Sequence, residues 1–307
     1  MNNFSQKILP ISCICSIYEG TILNEFIIAI DSLLVQEYIP NEIIVIVDGY
    51  IKEDILNFLK NIIKIEKIFK VYFIDQNRGL GFALRYGLLK CNNKIVARFD
   101  SDDINLENRL KIQFDLLRDN PEISIVGSDV IEFNNSDNEM HIKKMKNYKD
   151  MIEGFMRRNQ LNHPSIMYRK KDILEVGSYK DITFFEDYEL WLRCIKKGVG
   201  IYNINKALVA MKRPSYLSNR IGFKYATYEF IFLIETIRNN TIKKIYIPFF
   251  IIRIVIRLLP KYFSFFIRFF DSSRSVLKKE FNLNNYILQL TNNKNSFYKK
   301  YNKFIKK

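Results

Sequence analysis

Short apolar runs and amphipathic stretches alternate along the first hundred positions of the chain. Residues 8–17 (ILPISCICSI) are rich in β-formers and predict a strand, and the periodicity from Thr21 to Gln36 predicts a helix. A second strand, Glu42 to Val47, ends at Asp48-Gly49; a helix over 53–66, a strand over 70–74, a helix over 79–90 and a strand over 94–99 follow. Strands and helices alternating at this length predict the α/β class, with a mostly parallel sheet flanked by helices. After Asp100 the rhythm changes to a helix over 106–118, Pro121, and a strand over 123–131. Polar residues at 134–147 read as a loop, 148–158 as helix, 165–169 as extended, 186–197 as helix, and 199–211 as short strands. The Asn-Asn-Thr of 239–241 breaks the pattern, so we expect a domain over 1–240 and an extension over 241–307.

The extension differs from the rest in kind. Residues 245–270 (IYIPFFIIRIVIRLLPKYFSFFIRFF) are dominated by large apolar side chains interrupted by Arg253, Arg257, Lys261 and Arg268. At about 100° per residue these four cations fall within an arc of about 80°, with Pro260 expected to kink the helix. A basic stripe beside a broad apolar face suits a helix lying in a membrane interface, where anionic lipid adds about 1 kcal/mol per basic residue. The other reading packs the apolar face on the first domain and leaves the charges in water. Charge sharpens the division. Residues 241–307 hold 15 Lys and Arg against two acids, a balance of +13, while the first 240 hold 33 against 31, a balance of +2. So uneven a distribution argues for an appended function and not for a uniformly basic nucleic-acid binder. No run of about 18 uncharged apolar residues and no secretion signal is found, so the expected location is cytoplasmic, peripheral at the inner face of the cell membrane. Cysteines at 13, 15, 91 and 194 lack zinc-site spacing and are expected as reduced core thiols.

Candidate chemistry gathers where predicted strands give out. Val96-Ala97-Arg98-Phe99-Asp100-Ser101-Asp102-Asp103 sets three carboxylates at the end of the fourth strand. On an extended backbone Asp100 and Asp102 point to one side, where two hard oxygen donors can hold a divalent cation and, through it, a diphosphate. A solvated acidic turn would read the same. Asp48-Gly49 offers a carboxylate for a nucleotide NH or a ribose hydroxyl, or makes an ordinary turn. Asn77-Arg78-Gly79-Leu80-Gly81 opens a helix with glycines and a cation, which suits either a phosphate or plain capping. Glu186-Asp187 starts the helix EDYELWLR, where first-turn acids also favour the helix dipole.

Taken in this order, the segments resemble the family 2 glycosyltransferases of GT-A fold over about residues 8–213. ISCICSIYEG is similar to the family's first strand and nucleotide loop, SLLVQEYIPNEIIVIVDG to its helix–strand unit, and NRGLGFALRYGLLKC with VARFDSDDINLENRLKIQ to the third helix and metal segment. NHPSIMYRK and FFEDYELWLRCIKKG resemble the acceptor-side segment and the catalytic-acid motif. Among its subgroups, the chain most resembles transferases that assemble bacterial exopolysaccharides, capsules and lipopolysaccharide, the amylovoran type included.

The resemblance implies inverting transfer from a nucleotide-diphosphate sugar to a hydroxyl of a glycan acceptor, usually lipid-linked, with Mg2+ or Mn2+ as cofactor. It places Ser16, Tyr18, Glu19, Asp48, Arg78 and Asp100 on the nucleotide donor, Asp102 on the metal and Asp187 as general base. Glu186 is the alternative base, and His163 and Trp191 fall on the acceptor side. Two positions depart from the family pattern: Asp48 follows Val47 where many members have a second acid, and Arg85 stands where many have Asn. Competing readings are a nucleotidyltransferase acting on sugar phosphates and a non-catalytic basic binding module. The first should carry a Gly-rich basic signature where this chain has Tyr18-Glu19-Gly20.

Overall fold

Strand β1 (Lys7–Ile17) is buried without interruption from Ile11 to Cys15, as a strand enclosed on both faces must be. Parallel neighbours flank it, β2 (Tyr38–Asp48) on one side and β4 (Ile95–Arg98) on the other, and β3 (Phe69–Ile74) pairs with β2 in the same sense. The computed structural model describes residues 6–134, 140–145, 148–213, 222–259, 274–276, 282–293 and 296. Alternation along these strands sorts the core into two layers. Cys13, Cys15, Val45 and Val47 pack under α1 (Leu23–Leu34) and α2 (Glu53–Ile65) through Phe26, Ile30, Phe58 and Ile62. Ile14, Ile44 and Ile46 face the other way, onto Leu84 and Leu88 of α3 (Leu80–Lys90) and a cluster that includes Leu190 of α7 (Glu186–Lys196). All four cysteines are free and buried.

Beyond β4 the sheet turns mixed. Its ten strands among the described residues include β8 (Met167–Arg169) antiparallel between β4 and β6 (Ile123–Phe133), then β7 (His141–Lys143) and β10 (Arg274–Val276) at the far edge. Strand β9 (Gly200–Lys212) runs parallel to β6 and antiparallel to the two-residue β5 (Ile104–Asn105). Helices α4 (Arg109–Asp119), α5 (Tyr148–Phe155) and α6 (Lys170–Glu175) complete this part.

Several element boundaries differ from the sequence reading. The short strands expected over 199–211 are one continuous strand, whose register shifts opposite Asp129 scramble its inside–outside alternation. The loop expected over 134–147 contains β7. Strand β2 starts at Tyr38 because Lys7–Leu9 pair with Tyr38–Pro40.

The chain after 240 returns to the domain. Helix α8 (Phe223–Arg238) packs on α9 (Ile247–Leu258), with Phe232 and Phe250 6.0 Å apart, centroid to centroid. Helix α10 (Leu283–Asn292) lies against α1, and the hydroxyl of Ser296 donates to Asp31 at 2.7 Å. Of the expected basic stripe, Arg253 and Arg257 turn inward to the fully buried Glu229, Arg253 Nη2 lying 2.7 Å from Oε1. Desolvating Glu229 requires such partners. The face of α9 left open is apolar: Ile251, Ile252, Val255 and Leu258. Pro260, Lys261 and Arg268 lie outside the described residues. Among the described residues no helix is long and apolar enough to cross a membrane.

Candidate active site

Two cavities adjoin at the carboxyl ends of β1, β2 and β4, where ligands bind in open α/β sheets. The first, of about 390 Å³, is lined by Ser16 at the end of β1, by Tyr18, Thr21 and Glu25 from the loop after it and α1, by Asp48, and by Asn77, Gly79 and Leu80 before and within α3. Asp48 accepts from the backbone N–H groups of Arg78 and Gly79, both at 2.8 Å, and so fixes the loop that opens α3. Gly49, at φ 80°, makes that turn possible, since a Cβ there would sit 2.6 Å from the backbone nitrogen of Asn77. Arg78 itself points elsewhere: its guanidinium stacks 4.3 Å from the centroid of Phe82 and lies 3.8 Å from Asp181. Arg85, the departure noted above, pairs with the same Asp181 at 3.0 Å.

The acidic loop after β4 forms the seam. Arg98, Asp100 and Asp102 line both cavities. Carboxylate oxygens of Asp100, Asp102 and Asp103 lie within 4.8 Å of one another. Burial, with the charge of Asp100 next, pushes the Asp102 carboxyl up to about 6. Asp103 is pushed well above its usual range by the same causes in the same order, with Asp102 adding to them. Its Oδ1 accepts from the Lys212 N–H at 2.8 Å, while its buried Oδ2 has no hydrogen-bond partner among the described residues. Crowded, under-satisfied hard oxygens are the donor set a divalent cation takes, so these residues fit one. The loop is anchored from beneath by the fully buried Arg109, which donates to the carbonyls of Arg98 at 2.7 Å and Ile166 at 3.2 Å and to Gln113 at 3.0 Å. Burial lowers Arg109 to about 10, still charged at neutral pH.

The second cavity, of about 420 Å³, adds Asn159, His163, Glu186 and Asp187 to that seam. Behind Glu186, α3 and the segment before α7 approach closely at Gly81, where a Cβ would sit 2.2 Å from the Lys180 carbonyl and 3.2 Å from Glu186 Cβ. Asn159 Nδ2 donates to Asp187 Oδ2 at 2.7 Å, and His163 Nδ1 stands 3.9 Å from the same oxygen. Burial, then the charge of Arg98, drives His163 well below its usual range, so the ring is neutral and meets the Tyr179 hydroxyl at 3.1 Å. Glu186 is only 7% exposed; burial, then the charge of Asp187, pushes its carboxyl up to about 8. Burial therefore favours the protonated form of Glu186 at neutral pH.

This geometry brings together Ser16, Tyr18, Asp48, Asp100, Asp102, His163, Glu186 and Asp187, and leaves Glu19, Arg78 and Trp191 off the lining of both cavities. Trp191 is fully buried behind His163, ring to ring at 6.0 Å. Sequence reasoning missed Arg98, which is 3% exposed, pairs with Asp100 through Nη2, and leaves Nε and Nη1 without partners among the described residues. A charged residue inside an apolar strand was the available signal. It also missed Asn159 and the Glu25–Lys212 pair, which reaches across the mouth.

Residues 15–177 match Glycosyl transferase family 2. The chain belongs to that family. It is 33% identical over 242 residues to UDP-Gal:alpha-D-GlcNAc-diphosphoundecaprenol beta-1,3-galactosyltransferase of Escherichia coli, covering 78% of this chain and 88% of that enzyme. It is 30% identical over 234 residues to the amylovoran biosynthesis glycosyltransferase AmsE of Erwinia amylovora, covering 75% and 87%. Among solved structures, residues 1–349 of S. aureus TarS in complex with UDP-GlcNAc match with a TM-score of 0.55 at 14% identity, covering 73% of this chain and 66% of that one. That likeness speaks for the fold, which is GT-A.

Proposed function

We propose that this family 2 glycosyltransferase is an inverting, metal-dependent enzyme of surface polysaccharide assembly. It would move a sugar from a nucleotide-diphosphate donor to a hydroxyl of a lipid-linked glycan. One observation carries the reading: Asp102 and Asp187, with 84 positions between them in sequence, line a single cavity that adjoins a second at the strand ends. The donor nucleotide fits the cavity beside Tyr18 and Asp48. Asp102, with Asp100 or Asp103, would hold Mg2+ or Mn2+. Such a cation supplies a Lewis acid for the charge that builds on the departing diphosphate. Arg98, with two donors between the cavities that have no partner among the described residues, is suited to the same oxygens.

Asp187 is the group we assign to the acceptor proton. Asn159 fixes one of its oxygens, neutral His163 adds no competing charge, and Glu186 remains protonated beside it. A positioned carboxylate base contributes about 10²–10⁴-fold. The relative from Escherichia coli is named for an acceptor in which a sugar is linked through a diphosphate to a lipid, and we extend that class to this chain. A cytoplasmic enzyme working on such an acceptor needs contact with the membrane face, for which the open apolar side of α9 is suited. The test is turnover with UDP-, GDP- and dTDP-sugars, with and without EDTA, and the anomeric configuration of the product. Asp187→Asn is expected to cut kcat about 10²–10⁴-fold with the donor KM little changed. Full turnover by that variant, or a retained anomeric configuration, rejects the assignment.

A further inference from the structure

The acceptor-side cavity is divided by charge. Its acids come from the loop after β4 and the start of α7, while Lys143, Lys144, Arg158, Arg253 and Arg257 stand on other walls, from β7 and the residue after it, the segment following α5, and α9. The cations begin next to the base. Asn159, which holds Asp187, directly follows Arg158, and the carbonyl of Arg157 accepts from Arg253 Nη1 at 2.8 Å. Arg253 and Arg257 share the carboxylate of Glu229, two guanidiniums to one acid, and Arg257 also stacks 4.4 Å from the centroid of Tyr225.

We infer that this basic wall is a subsite for the diphosphate of the acceptor, the group that joins its sugar to its lipid. The inference rests on the glycosyltransferase reading above and assigns its second substrate to particular residues. The acceptor hydroxyl must sit at Asp187, and the phosphates hang from the anomeric carbon of that same sugar or a neighbouring one. They therefore need cations in the same cavity as the base, and Arg158 and Arg253 line that cavity with Asp187. Carboxylates across the cavity repel an anionic acceptor and orient it with its phosphates toward the basic wall. Guanidiniums suit this task because their fork matches phosphate oxygens in pairs. The outer face of the same α9 exposes Ile251, Ile252, Val255 and Leu258, an apolar surface for the lipid leaving the diphosphate.

The test uses the full chain and two synthetic acceptors, an α-glycosyl diphosphate ester of a short alkyl alcohol and the matching alkyl glycoside without phosphate. Arg158→Gln and, separately, the exposed Lys144→Gln are compared with the parent, with thermal melts to confirm folding. The parent should prefer the diphosphate ester, and each variant should lower that preference, read as the ratio of kcat/KM values, by about tenfold, the loss typical of one charged hydrogen-bond partner. Equal use of both acceptors by the parent overturns the subsite and leaves glycosyl transfer standing. So does a rise in donor KM in place of acceptor KM, which would move these cations to the donor. Loss of binding to vesicles of anionic phospholipid, with acceptor preference intact, would assign them to the bilayer surface instead. If neither acceptor is glycosylated, calorimetry of the diphosphate ester in EDTA decides. Binding that Arg158→Gln weakens about tenfold upholds the subsite while the transfer reading falls; no binding overturns both.

Discussion

Glu186 stands beside the proposed base yet has the chemistry of a neutral acid. Its carboxyl titrates near 4.5 when free and about 8 in the fold. The folded state thus holds this proton more tightly than the unfolded chain does, so the contribution to stability is complete below about pH 4.5 and is lost as pH rises toward 8. Glu186→Gln removes that dependence. Thermal melts should show a flatter stability profile across this window and a higher melting point at pH 8 than the parent; an unchanged slope refutes the burial argument. Arg109 makes a different residue-scale case. Replacing it with Met takes a donor from the carbonyl of Arg98 and from the buried side-chain oxygens of Asn105 and Gln113 beneath the acidic loop. At about 1–3 kcal/mol for each unsatisfied buried acceptor, denaturant unfolding should report a loss of about 3–5 kcal/mol. What the sequence displays at this scale is contiguity: Asp100, Asp102 and Asp103 stand together in the chain and in space. The Asn159–Asp187 and Glu25–Lys212 contacts join residues far apart in sequence, and no local pattern announces them.

At the scale of elements, the first half of the sheet is legible because parallel strands buried on both faces must be nearly continuous apolar runs. Strands β1, β2 and β4 follow from that rule, the edge strand β3, which buries only Phe69, follows from its β-formers, and helices α1, α2 and α3 follow from their periodicity. The rule weakens in the mixed half. Register shifts along β9 and the short lengths of β5, β7 and β8 erase the period-two signal, so pairing partners there are set by tertiary fit. The junction of the two halves depends on Gly81. Gly81→Ala puts a methyl against the Lys180 carbonyl, and backbone there cannot give way cheaply. We expect a stability loss of about 1–3 kcal/mol, as for overpacking elsewhere. A fall in kcat/KM should accompany it, because the displaced segment carries Glu186 and Asp187. A variant with both quantities intact would show that α3 and α7 have slack the geometry denies.

For the whole molecule the question is what the strongly basic last fifth of the chain does. Its sequence suggests cations turned outward to lipid, but α9 sends Arg253 and Arg257 to Glu229 and leaves aliphatic side chains in the open. Membrane contact through this helix should therefore be mainly hydrophobic, with salt acting on the remaining lysines and arginines of the tail. Deleting 241–307 is a poor test of that, because Phe250 packs on Phe232 in the core and α10 on α1. The double variant Ile252→Asp with Leu258→Asp touches exposed positions only, 52% and 51% accessible, and should leave the melting point near the parent's. Vesicle sedimentation in moderate salt should then fall several-fold, since burying one large aliphatic side chain contributes about 1.5–3 kcal/mol. If the variant sediments like the parent at every salt concentration, the apolar side of α9 is not what meets the bilayer, and the lipid of the acceptor must leave the cavity by another route.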